Sequence, residues 1–180
     1  MSLMHNSPRG ATGALRPLDH LIAALDWAAA WALVLLVTTM VAVVSAQVGL
    51  RYLFNSSINW ADEVSRLCFV WSMFLAIPLG LKSGAHIGVD VLAARLPAPA
   101  RNALARAMAL LGAALMLLVA WESARIAFDQ WDELMASVEA SAAWFIVPLA
   151  LCGLHGALHL LWLALTGPSD EAPALLEELG

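Results

Sequence analysis

The side chains able to do chemistry in this sequence are few, and most fall in pairs at helical spacing. His155 and His159 stand four apart, as do His86 and Asp90; Glu63 and Arg66 stand three apart, as do Glu122 and Arg125. Residues three or four apart share one face of a helix, so each pair can act as a unit. Two histidines on one face invite comparison with a haem site. A bis-histidine haem draws its ligands from facing helices, however, and the other helices offer no histidine at matching depth. Packed, hydrogen-bonded imidazoles are the expected reading. His86 and Asp90 can orient each other, cap a short helix or touch a partner. Two ligands are too few for a metal site. The carboxylate–guanidinium pairs read as a salt-bridge layer that fixes helix packing, or as a surface that meets a partner protein. No nucleophile stands beside a base, no glycine loop is built for phosphate, and no Cys/His metal motif is present. The sequence therefore points away from an enzyme, and no catalytic, cofactor or metal residue is assigned. Cys68 and Cys152 lie inside apolar runs and read as packed thiols.

What must position these residues is mostly hydrophobic helix. Of the 180 residues, 62% are hydrophobic and 13% charged, with a mean hydropathy of +0.79. Soluble domains carry roughly a quarter charged residues. This composition cannot cover a globular surface, so the chain reads as a membrane protein. The net charge of -5 gives no reason to expect nucleic acid, and no basic run exists to bind it.

In chain order, residues 1–18 carry Pro, Gly, Ser and two arginines without periodicity and read as a disordered tail. A cleavable signal peptide is not expected, because the apolar run starts late and is too long. Trp27 to Leu50 gives 24 uncharged positions, enough to span a bilayer that needs about 20. Trp27 and Trp31 at one end, with Tyr52 and Phe54 at the other, suit the aromatic belts. Asn55-Ser56-Ser57 forms a turn. A second helix follows over about 60–81, with an uncharged core of 15 residues, Leu67 to Leu81. Residues 86–96 have the spacing of a short amphipathic helix lying in the interface. A third helix over about 98–128 carries Ala105, Ala109, Gly112 and Ala113, small residues that permit close helix contact. A fourth, over about 141–165, has no charge. The expected fold is all-α: a four-helix membrane domain over 19–165 plus one interfacial helix, with a second tail over 166–180. Lys and Arg are divided six against three between the two sides, which makes both termini cytoplasmic.

With that topology Arg51, Asp62, Glu63, Arg66, Glu122 and Arg125 all fall near the outer boundary. No carboxylate is expected mid-membrane. Trp60 and Trp71, eleven apart, share a helix face and form a candidate seam for a protein partner.

Arg51 to Asp90 resembles a family, the small membrane subunit (DctQ type) of tripartite ATP-independent periplasmic, or TRAP, transporters. The matching features are Arg51-Tyr52 closing the first helix, then Trp60 with Glu63, then Trp71 and Phe74. Gly80 follows, and His86-Ile87-Gly88-Val89-Asp90 leads to Leu96-Pro97. Ala76 with Pro78 departs from the more Gly-rich turn expected there. The resemblance implies an inner-membrane accessory subunit without cofactors. Its partners are a large membrane subunit that carries the transport path, a soluble periplasmic receptor that captures a solute, often an organic acid, and the surrounding lipid. Sodium or another ion gradient drives uptake. On this reading Trp60, Glu63, Trp71 and Phe74 meet the large subunit or fix the helix that does. Arg51, Glu63, Arg66, Glu122 and Arg125 form the periplasmic layer that docks the receptor, and His86 and Asp90 belong to the cytoplasmic interfacial helix. The alternative is a haem-binding membrane anchor of a respiratory enzyme, using His155 or His159.

Overall fold

Each of the four apolar runs folds as a helix long and apolar enough to cross a membrane. The computed structural model describes residues 16–82 and 97–167. Helix α1 is Arg16–Phe54, α2 is Ala61–Lys82, α3 is Ala98–Asp129 and α4 is Val147–Thr166. The interfacial helix expected over 86–96, with His86 and Asp90, lies outside the described residues.

The boundaries follow local chemistry. Helix α1 already covers Arg16, well before Trp27, so residues 16–18 are helical where a tail is expected. Asn55 ends α1 with φ 47°, a left-handed conformation that asparagine adopts more readily than most residues. Helix α3 starts after Pro97, with another proline in its first turn. The fourth span opens differently from a plain helix. The Ser141 hydroxyl accepts from the Ala143 N–H at 3.1 Å, and Ala142–Phe145 forms a 3-10 turn before α4 takes over. Gly167 closes α4 with φ 82°, donating its N–H to the Leu163 carbonyl at 2.8 Å. That positive φ suits glycine.

The helices pack as two hairpins, α1 with α2 and α3 with α4, joined mainly through α2 and α4. Small residues make the α3–α4 seam. Ala109, Ala113, Ser123 and Ala127 are buried along one stripe of α3. On α4, Gly153 and Gly156 come up against Met116, and Leu160 against Gly112. Lipid is as apolar as leucine, so close contact rather than the hydrophobic effect holds such a seam together. The approach is tightest at Gly153. A Cβ there would lie 2.7 Å from the Met116 carbonyl oxygen and 2.9 Å from the Ala120 nitrogen. Serine hydroxyls inside the bundle are satisfied within their own helices, Ser72 to the Cys68 carbonyl at 2.7 Å and Ser123 to Val119 at 2.6 Å.

Gly153→Ala should therefore separate α3 from α4, at a cost of about 1–3 kcal/mol as for other overpacked contacts. Thermal melting in detergent should show a clear fall. Gly49→Ala is the control: a Cβ at Gly49 meets nothing within 4 Å, and its melting temperature should hold or rise.

Candidate functional site

Two polar assemblies stand out in an otherwise apolar bundle, one at each end of α2. The first is built on the opening turn of α2. Glu63 reaches the loop that connects α3 to α4 and accepts three hydrogen bonds there. They come from the Ala136 N–H at 2.7 Å, the Ser137 N–H at 2.9 Å and the Ser137 hydroxyl at 2.6 Å. Consecutive backbone N–H groups form a concave anion site, and here the anion is a carboxylate of the same chain. The loop is itself folded. Met135 N–H donates to the Ala140 carbonyl at 2.9 Å and Ala142 N–H to Glu133 at 2.7 Å. Beside it, Gln47 of α1 donates to Asp62 at 3.2 Å, so α1, α2 and the loop meet in one polar layer.

An aromatic cluster lies beneath this layer. The Trp71 indole N–H donates to the Trp144 carbonyl at 2.9 Å. The Trp71 and Trp144 rings are 6.1 Å apart, and those of Trp131 and Trp144 6.2 Å. Trp71 thus works inside the bundle, where it joins α2 to the start of the fourth span. Trp60 precedes α2 and is 46% exposed, while Phe74 is half-buried.

The charged residues do not all meet. Glu122 and Arg125 pair locally at 3.5 Å. Glu63 is engaged by the loop rather than by Arg66 or Arg51. Both arginines are exposed, and neither makes an ion pair among the described residues.

The second assembly joins α1 to α4. Asp26 is buried in α1, in register with the buried Ile22 and Ala29. Its Oδ1 lies 3.0 Å from His155 Nε2 and 2.8 Å from His159 Nε2. The imidazole rings are 4.9 Å apart, and all three side chains are about nine-tenths buried. Asp26 lies inside α1, which starts well before it, and is buried at one end of the bundle rather than standing ahead of the first helix. The histidines are packed and hydrogen-bonded, as expected, but to a residue left outside the predicted span. The signal was available: 22, 26 and 29 continue a helical stripe into the apolar run. The assembly sits at the level of the C-terminal end of α2, since a Cβ on Gly156 would lie 3.3 Å from the Leu81 side chain.

Residues 40–166 match the family model for the DctQ component of tripartite ATP-independent periplasmic transporters. The chain belongs to this family. It is a TRAP small subunit, and the DctQ match runs from the middle of α1 to the last residue of α4. Relatives agree. The C4-dicarboxylate TRAP transporter small permease protein DctQ of Vibrio cholerae is 44% identical over 57 residues, 32% of this chain and 25% of the relative. The sialic acid TRAP transporter small permease protein SiaQ of the same organism is 29% identical over 69 residues, 38% of this chain and 40% of the relative. The isethionate TRAP transporter permease protein DctMQ of Oleidesulfovibrio alaskensis is 37% identical over 43 residues, 24% of this chain but only 7% of that much longer one. The chain spans less than half the length of the first curated relatives it matches.

Glu63→Gln should loosen the α3–α4 loop, because an amide NH₂ would then face backbone donors. Hydrogen exchange should speed up at Ala136 and Ser137 and stay unchanged around His155. Trp71→Phe should cost about 1 kcal/mol through the lost indole hydrogen bond, read as a lower melting temperature.

Proposed function

We propose that this subunit is a scaffold in a solute importer driven by an ion gradient. It holds the fixed part of a large transport subunit in the inner membrane and helps a periplasmic receptor dock. The observation that carries this reading is the DctQ match over residues 40–166. It comes with a bundle that leaves much apolar surface uncovered. In the apolar window of α1 only 6% of residues are buried within the bundle, and in that of α3 only 11%. Broad apolar faces of this kind suit lateral packing against another membrane protein as well as against lipid. The relative named DctMQ, far longer than its matched stretch, supports a large subunit as partner.

On α2 the outward stripe is Phe69, Met73 and Ile77, with Trp60 at the end of the helix. We place the large-subunit contact on this side. Trp60 and Phe74 meet the partner, while Glu63 and Trp71 fix the helix that carries them. With both termini cytoplasmic, as the distribution of Lys and Arg supports, the layer with Arg51, Glu63, Arg66, Glu122 and Arg125 faces the periplasm. Exposed Arg51, Arg66 and Arg125 there suit an electrostatically steered receptor, for which charge sets orientation and on-rate. The relatives' names give C4-dicarboxylate, sialic acid and isethionate. All three are organic acids, and we extend that class of solute to this importer, with sodium or another ion driving uptake.

The haem-anchor alternative gains no support from the geometry. The ring nitrogens that would ligate iron both engage Asp26, and contacts of 2.8 Å and 3.0 Å leave no slot for a porphyrin between them.

A C-terminally tagged chain extracted in mild detergent should bring down a large polytopic membrane protein in stoichiometric amount. Trp60→Ala should reduce that yield. Recovery of a homo-oligomer alone would sink the proposal. Uptake by cells should disappear when this subunit is deleted, and normal uptake by the large subunit and receptor alone would falsify the scaffold role. Arg125→Glu should weaken receptor binding several-fold, more at low salt than at high salt. An unchanged affinity would remove Arg125 from the docking surface.

A further inference from the structure

The Asp26–His155–His159 assembly has the make-up of a metal centre. We propose that it binds one divalent transition-metal cation of the zinc class, which staples α1 to α4. Three features support this. The donor set is two imidazole nitrogens and a carboxylate oxygen, the composition of many three-ligand zinc sites. One ligand atom from each residue can be chosen so that all three lie within 4.8 Å of one another. The histidines stand four apart on one helix, a spacing that directs two ring nitrogens to one point. The third donor comes from a different helix, as a cross-link requires.

The fit is close without being pre-strained. Zinc lies about 2.0–2.1 Å from imidazole nitrogen and about 2.0–2.2 Å from carboxylate oxygen. Tetrahedral ligands at that radius are separated by about 3.3 Å. The Oδ1–Nε2 separations here are 3.0 Å and 2.8 Å. An outward shift of a few tenths of an ångström would open the site, within the play of side-chain torsions. Ligation uses the Nε2 lone pair, so each imidazole would then carry its proton on Nδ1. Nitrogen-rich donors favour zinc, cobalt or nickel over magnesium or calcium, which prefer all-oxygen sets. The DctQ assignment assigns no ligand to these residues, and the metal proposal stands or falls separately from the scaffold reading.

The full chain, carrying a histidine-free tag, should be purified, stripped with a chelator and titrated with Co²⁺. One Co²⁺ per chain should bind, giving the visible absorption of a tetrahedral site, and Zn²⁺ should displace it. His159→Gln and Asp26→Asn should each weaken Co²⁺ binding by about tenfold or more, since even second-shell changes weaken metal sites by that much. Zn²⁺ should raise the melting temperature of the native chain and not that of His159→Gln. The native chain suffices as the test if a variant fails to fold. Absence of stoichiometric Co²⁺ uptake by it overturns the proposal, as does equal binding by folded variants.

Discussion

In lipid, helices gain nothing by hiding apolar surface from one another, so this bundle depends on how closely two backbones can approach. That constraint is concentrated at Gly153, where α4 lies directly against the Met116 carbonyl and the Ala120 nitrogen. Everything else in the α3–α4 hairpin is arranged around that contact. The alanine stripe of α3 keeps side chains short on both sides of it, and Leu160, about two turns further along α4, reaches over Gly112. Dispersion forces are small per atom and fall off over fractions of an ångström, so a seam of this kind tolerates little added volume.

Polar groups then supply what packing alone does not, namely register and identity of partners. Glu63 holds the connection between α3 and α4 through three donors, and Asp26 gathers both histidines of α4. The two assemblies act on different helices of the first hairpin: one ties α2 to the second hairpin, the other ties α1. Between them lies the Trp71–Trp144 hydrogen bond. The hairpins are thus attached to each other at three levels, while the outward faces of α1 and α3 remain broadly apolar.

Much of this architecture is legible in the sequence. The four spans follow from run lengths of apolar residues, and the α3 contact stripe from Ala109 and Ala113. The Arg51–Asp90 resemblance is the family the chain belongs to. What escaped was set by tertiary pairing. Asp26 was excluded because a charge at the end of an apolar run ordinarily marks the end of the span, and only the arrival of His155 and His159 makes it acceptable inside. Glu63 was matched with arginines because charge suggests charge, yet two backbone N–H groups and a hydroxyl hold it. Neither partner was visible without knowing where the α3–α4 loop folds back. Helix spacing puts Trp71 on one face with Trp60, but it does not show that the indole reaches the Trp144 carbonyl beside a short 3-10 turn.

The distance along the chain between Asp26 and its histidines also sets a schedule. Asp26 precedes His155 by 129 residues. At about 5–20 residues per second of synthesis, the carboxylate leaves the ribosome roughly 6–26 s before its first imidazole partner. During that interval α1 is already an apolar helix seeking the bilayer, with an anion near its start. The first span must therefore form without either histidine, and the link from α1 to α4 can close only once the last helix has been made.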